Sequence, residues 1–391
     1  MREGVVEYRF ERSCDVVVAG AGVAGAAAAI QCARSGLDVV LLEKSFVPGG
    51  LATAGFVNVF LPLCDGHGSK IVSGIAEEFI RCCVSSGPGA IPAGWDDGSG
   101  LNPACRYMAE FSPAVFALAL DASLVASGVD VWFDTVVRGA ELADGDIRAL
   151  EVFNKSGDGL LFGKRFVDAT GDADVAFFSG CPTVEGSSHL SVWALQASMD
   201  RAGSAVEFDD SGMLLDILRL GADDSGRGVE GGAPVFLGID GGTVSSAALE
   251  SRRLLREHYG NLGPRESRRC FPLALPTIAQ LRTTRKIDGL ATIDASRNRF
   301  DAVGRVPDWR ERGVVWEIPL GSLIPRGVGN LLVAGRCVSA ESGAAWDAVR
   351  SIPASAFTGQ AAGVAAALSL ETGGSLGTLS PESVVEGLSS A

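Results

Sequence analysis

Residues Cys14 to Glu43 read CDVVVAGAGVAGAAAAIQCARSGLDVVLLE, and no other stretch limits the possible fold as tightly. The β-branched run Val16 to Val18 predicts a strand buried on both faces. Gly20, Gly22 and Gly25 follow at the G-x-G-x-x-G spacing and open an alanine-rich helix that Gly36 can end in a left-handed cap. A second strand, Val39 to Leu42, finishes at Glu43, eighteen residues beyond Gly25. Gly20 permits a tight strand-to-helix turn, Gly22 lets the backbone approach a pyrophosphate, and Gly25 lets the helix sit close on the sheet. The free N–H groups of the helix start, at Val23 and Ala24, then face the phosphates. Glu43 falls where the first βαβ unit of a dinucleotide fold places a carboxylate for ribose hydroxyls.

The chain has 391 residues, more than one core usually supports, so two domains are expected. Hydrophobic residues at 47% against 20% charged indicate a globular chain with ample core. A net charge of −14 argues against nucleic acid or anionic membrane as partner, and the pairs Arg252-Arg253 and Arg268-Arg269 read as surface cover. Nine cysteines without any C-x-x-C argue against a disulfide framework, a zinc site or a dithiol centre, so no metal is expected. The opening MREGVVEYRFERS has no apolar signal core, and the longest apolar run, Val16 to Ile30, falls short of the ~20 residues of a membrane span. A cytoplasmic location is the expectation.

Lys44 leads into Pro48-Gly49-Gly50-Leu51-Ala52-Thr53-Ala54-Gly55, a turn followed by small residues, as a backbone requires when it passes against a flat ligand. Residues 61–84 give a loop and then an amphipathic helix with Ile75, Phe79, Ile80 and Val84 on one side. The loop carries Asp65 and His67; His67 reads equally as a proton donor to a substrate or as an exposed histidine without a task. Cys82-Cys83 on the helix reads as core filling. Gly87 to Ala104 reads as a loop, Phe116 to Ala126 as a helix, and Val129 to Val137 as a third parallel strand whose end passes an adenine near Val136. Ala149 to Asn154 and Phe162 to Val167 read as an antiparallel excursion.

The strand before Ala169-Thr170-Gly171 puts small residues beside a bound dinucleotide, while Asp172 and Asp174 read either as helix caps or as chemistry. From Glu185 to about Val315 the pattern changes to glycine-rich loops, short strands and two helices, about Gly212 to Leu220 and Val244 to Tyr259. Gly226 to Gly231 repeats the G-x-G-x-x-G spacing without a strand before it or a helix after it, and so is not read as a second nucleotide site. Gln280 to Lys286, QLRTTRK, reads either as a solvated basic strand or as a clamp for a carboxylate or developing oxyanion. Asn330 to Arg336 returns to a buried strand ending at Gly335-Arg336. A long helix then starts near Pro353, includes Ala361 and stops at Gly373-Gly374, with its positive end available to negative charge on a reduced ring.

With these pieces in order (the opening βαβ unit, PGGLATAG, LPLCDGHGSKIVSGIAEEFI, VDATGDADVA, RTTRKIDG, VWEIPLGSLIP and NLLVAGRCVSA with GQAAGVAAAL), the chain resembles the FAD-dependent oxidoreductase family, a small soluble flavoprotein branch of the glutathione-reductase-like fold. The resemblance implies an α/β fold: an FAD-binding Rossmann domain with a parallel sheet plus an inserted α+β substrate domain. It divides the chain into FAD-binding parts 1–64, 111–185 and 325–391, a substrate-side loop and helix 65–110, and a substrate domain 186–324. FAD would be held by Gly20, Gly22, Gly25, Glu43 and the turn around Gly50, with the ring system near Gly335 and the last helix. The chain departs from the family at Ser339 to Arg350, where a histidine and glutamate are common, and at Gly321, where an arginine is common. The expected activity is hydride transfer between flavin N5 and a small organic substrate, with Arg285 and Arg350 stabilising charge and His67 or Asp65 moving protons. An external redox partner and self-association stay open. The competing readings are an NAD-binding enzyme of the same fold, like thiazole-forming proteins, and a non-catalytic flavin-binding subunit of an electron-transfer assembly.

Overall fold

The computed structural model describes residues 7–91, 108–223, 227 and 232–390. The opening motif folds as read: strand β1 (Phe10–Ala19), helix α1 (Val23–Arg34) and strand β2 (Val39–Leu42), with Gly36 at φ 81° past the helix end. Val16, Val17 and Val18 are fully buried, as read from their unbroken apolar run.

The main sheet has seven strands in the order Asp130–Trp132, β2, β1, Gly157–Asp168, Asp146–Asn154 and Val136–Ala143, with Leu331–Val333 also beside Gly157–Asp168. β1 is parallel to β2 and to Gly157–Asp168, which is itself shared by two neighbours on its other edge. Its first half pairs antiparallel with Asp146–Asn154, Phe162 facing Ala149, and its last residues pair parallel with Leu331–Val333, Phe166 facing Leu331. Asn330 splices the junction: its side chain accepts from Ile147 N at 2.9 Å and donates to Ile147 O at 2.8 Å. The predicted antiparallel excursion therefore begins in a strand that ends parallel.

Two sequence expectations are corrected here. The run Val129 to Val137 is two strands rather than one, because Asp134 turns the chain at φ 51° and Val136 sets out antiparallel against Phe153. Apolar β-branched residues on both sides of the turn hide it from a periodicity reading. The segment 212–220, expected to be helical, is a short turn (Ser211–Leu214) and then a strand (Asp216–Gly221) paired with Ser191–Ser198. Alternate residues Leu218 and Leu220 pack against Val192, Ala194 and Leu255, and that tertiary face overrides the local helical preference. The second expected helix is present as Gly241–Gly260. Apart from Arg227, the G-x-G-x-x-G repeat at 226–231 lies outside the described residues, as does most of the loop from Gly87 to Ala104.

The long helix Ile352–Thr372 is capped by Ser351, carries Pro353 in its first turn and ends at Gly373 in the left-handed conformation. It packs on α1 almost backbone to backbone. A Cβ on Gly359 would stand 2.1 Å from Ala24 O, and one on Gly363 would stand 2.7 Å from the Gln31 side chain. This crossing brings the starts of the two helices to the same end of the sheet. Gly359→Ala must push the helices apart, so a loss of about 2 kcal/mol or more is expected in chemical denaturation; an unchanged midpoint would refute the contact.

Candidate functional site

A cavity of about 590 Å³ crosses the carboxyl ends of the parallel strands. Ala19, Gly20, Leu42, Glu43 and Ala169 line it where β1, β2 and Gly157–Asp168 finish, as expected for ligands of an open α/β sheet. Gly20, at φ 94°, turns the chain off β1, and its N–H donates to Leu42 O at 2.8 Å. Helix α1 then starts at Gly22 with no side chain capping it and no acid in its first turn, so its free N–H groups meet whatever fills the cavity.

The glycines divide into two kinds. A Cβ on Gly25 would stand 1.8 Å from Gly20 O, and one on Gly20 would stand 2.6 Å from Ala169 O. Both are demanded by the protein's own packing. A Cβ on Gly22 would meet no protein atom within 4 Å, and Gly22 has φ −63° and ψ 178°, open to any residue. The fold does not require glycine there; a ligand against the wall does. This cradle, an uncapped helix start and a ribose-level acid together fit the diphosphate and sugar of a dinucleotide.

Glu43 is 8% exposed and faces the cavity. Its carboxylate accepts from Ala21 N at 2.9 Å and from Ser45 N at 2.8 Å, which fixes it between the glycine turn and the next loop while each oxygen keeps acceptor capacity. Lys44, Gly49, Gly50, Leu51 and Ala52 continue the wall, as does Val136 at the far end. Thr53 stands behind it, donating through Oγ1 to Pro48 O at 2.5 Å. Thr170, Gly171, Gly335 and Arg336 line the opposite side. Val23 and Ala24 also line the cavity, whereas Gly25 sits behind them and Ala361 lies buried in the body of the long helix Ile352–Thr372, away from the wall. The start of that helix, at Ser351, Ile352 and Ser355, faces the cavity instead.

Arg336 is a brace as well as a wall residue. It donates to Leu281 O at 2.8 Å, to Asp172 at 2.6 Å and to Gly171 O, tying the Thr170–Asp172 turn to the inserted segment. Burial alone would raise the Asp172 carboxyl, but Arg336, the Thr284 hydroxyl and Lys44 bring it below the usual range. Asp174, also on the wall, is pushed up to about 6 by burial and by its neighbours Asp172 and Asp168. Neither residue caps the helix that follows, whose N-cap is Ala173 at φ 51°. Fully buried Asp168 serves the turn, accepting from Thr170 N, Thr170 Oγ1 and Ala176 N at 3.1, 2.7 and 3.0 Å.

The four residues expected to carry chemistry separate. Arg350 lines the cavity, while Arg285, Asp65 and His67 do not. Arg285 and Lys286 are 4% and 3% exposed, so the QLRTTRK run is not a solvated strand. Arg285 lies 4.0 Å over the Phe177 ring and 3.4 Å from Asp174. Lys286, brought down to about 8 by burial, lies 4.1 Å over Trp346 and donates to Ala340 O. The Asp65 carboxylate closes a loop turn by accepting from His67 N at 2.7 Å and Ser69 N at 3.1 Å, and His67 is exposed beside Gly313. Sequence reasoning passed over Trp193, Arg282, Trp309 and Asp347, which extend the wall from the inserted segment and from the short helix Ala344–Val349. Only Arg282 lay inside a stretch already marked, by its cationic density.

Gly22→Ala is expected to leave the unliganded protein within about 0.5 kcal/mol of wild type in urea while weakening FAD roughly tenfold or more by fluorescence titration. Gly25→Ala should instead abolish folding or cost several kcal/mol, and FAD binding by Gly22→Ala at full strength would remove the diphosphate from this turn. Ionisation of Asp174 opposes folding, because its folded value of about 6 exceeds the ordinary 3.8. Its contribution is present below the unfolded value and is lost as pH rises through the folded one. Asp174→Asn should therefore gain stability relative to wild type from about pH 4 to about pH 7, by about 1 kcal/mol after screening of a half-exposed group; a pH-independent difference would contradict this.

Known proteins fit this geometry. A profile of the FAD dependent oxidoreductase family matches residues 15–207 and 247–388. Among curated proteins, a probable electron transfer flavoprotein-quinone oxidoreductase, YgcN, of Escherichia coli K12 is 49% identical over 45 residues, 12% of this chain and 11% of that protein. The thioredoxin reductase of Ureaplasma parvum serovar 3 is 37% identical over 71 residues, 18% of this chain and 23% of that one. The chain thus spans a small part of the length of either relative. The solved p-nitrophenol 4-monooxygenase PnpA of Pseudomonas putida DLL-E4 superposes with a TM-score of 0.53 at 12% identity, covering 97% of this chain and 89% of that one, a likeness of fold. With the family profile matching most of the sequence and the dinucleotide cradle built from its opening residues, this chain belongs to the FAD dependent oxidoreductase family, and its cofactor is FAD.

Proposed function

We propose that the protein moves a hydride between a small organic molecule and N5 of its flavin. The observation that carries this reading is a single cavity walled on one side by the dinucleotide fold and on the other by the inserted segment, through Trp193, Thr277, Ile278 and Arg282. Cofactor and substrate would share that space.

Gly22, Val23 and Ala24 present N–H groups to the diphosphate, Glu43 accepts from ribose hydroxyls, and Gly50, Leu51 and Ala52 lie flat along the ring system. Bound FAD supplies a two-electron acceptor at N5. Ser351 to Ser355 aim the positive end of a helix of 21 residues into the cavity beside Arg350, which favours negative charge in the same region. The apolar side chains of Leu51, Val57, Val59, Leu61, Ile278 and Leu281 exclude water from the reacting atoms.

The purified protein should be yellow, release FAD rather than NAD on denaturation and mass measurement, and bleach anaerobically with one of the pools of hydroxy acids, sugars, amines or enoates. Release of NAD from a colourless protein would favour the competing nucleotide-consuming chemistry. A yellow protein that none of the pools bleaches would point to a flavin-binding subunit without a small-molecule substrate.

A further inference from the structure

A second, much smaller space of about 20 Å³ adjoins the flavin cavity, room for about one water molecule. Arg282, Asp347 and Arg350 line both spaces, so two guanidinium groups stand at the boundary. The boundary is built rather than incidental. Ser188, 3% exposed, accepts through Oγ from Arg282 N at 2.9 Å and Thr283 N at 3.0 Å, which locks the backbone that carries Arg282. Arg282 itself donates to Ser191 Oγ at 3.1 Å. Arg350 is bonded to Asp347, whose other oxygen takes Arg310 at 2.5 Å. Asp223, the other acid on the small space, is engaged by Arg227 at 2.9 Å. His189 completes the wall, and its Nδ1 is buried without a hydrogen-bond partner among the described residues.

A buried ring nitrogen without a partner costs free energy unless something reaches it, and guanidinium forks match the two oxygens of a carboxylate. We infer that Arg282, Arg350 and His189 seat the carboxylate of the substrate at this boundary, leaving its reacting carbon in the large cavity. The substrate is thus a small carboxylic acid, oxidised or reduced next to its acid group. A planar carboxylate offers its two oxygens to these forks, and inorganic phosphate is the competing anion. This inference rests on the hydride-transfer reading for its substrate role. The anion seat itself does not depend on flavin colour.

The test is calorimetric titration of the FAD-loaded protein with propionate and benzoate, each against its neutral amide, and with inorganic phosphate. At least one acid should bind roughly tenfold or more tighter than its amide, Arg282→Gln and Arg350→Gln should bring that acid down to the level of the amide, and Arg282→Lys should restore part of the difference. The inference is overturned if acids and amides bind alike in the wild type, if neither acid binds at millimolar concentration, or if phosphate binds tighter than both. The wild-type comparison stands even where a variant fails to fold. Because heat is read rather than absorbance, a protein that prefers acids yet is bleached by none of the pools would defeat the hydride reading and keep the anion seat, and a protein that a pool bleaches but that is indifferent to charge would do the reverse.

Discussion

The structure depends on one close passage of backbone. Gly20 lies against the Ala169 carbonyl and Gly25 against the Gly20 carbonyl, at separations where no side chain fits. That passage sets β1, the Gly157–Asp168 strand and the start of α1 at one end of the sheet, and Ala19 and Asp168 remain in register there. Because the strand ends meet, their free backbone groups and the helix start open onto a common space. The second passage, of Gly359 over Ala24, brings the long helix Ile352–Thr372 to the same end. The cavity is therefore a consequence of glycine placement on both crossings rather than of any large side chain.

The inserted segment is tied to this frame by polar braces. Gln280 donates to Gly55 O beside the flavin turn and to Trp193 O, and accepts from Trp193 N at 2.6 Å. Arg336 joins Gly171 and Asp172 to Leu281. Each brace is partly buried and links a loop of the dinucleotide fold to one of the insertion, so the two walls of the cavity keep their spacing. Asp174 ionises at the cost of fold stability within this frame, because burial and the neighbouring Asp172 and Asp168 oppose its charge.

The glycine-turn side of the cavity was legible because its requirements are local. A turn that needs positive φ, a helix start without an acid and a carboxylate at the end of the next strand are each written within a few dozen residues, and Gly20, Gly22 and Glu43 stand where their spacing put them. The side of the cavity formed by the inserted segment was not. Arg285 and Arg282 lie three positions apart in one basic run, and nothing in that run tells which one faces the cavity. The pairing of Arg285–Ile287 with Thr183–Glu185 turns Arg285 toward Phe177 and Asp174, while Ser188 and Ser191 hold Arg282 at the boundary.

By itself the sequence determined the βαβ unit, the family and the kind of cofactor, because close backbone approach can be met only by glycine and so leaves a mark in the chain. Only the tertiary structure decided that residues 216–221 form a strand, that Val129 to Val137 is broken at Asp134, and that Arg282, Asp347, Arg350 and His189 meet. Those choices rest on contacts between segments far apart in the chain, where the free energy of burial and pairing outweighs local preference and leaves no pattern along the sequence.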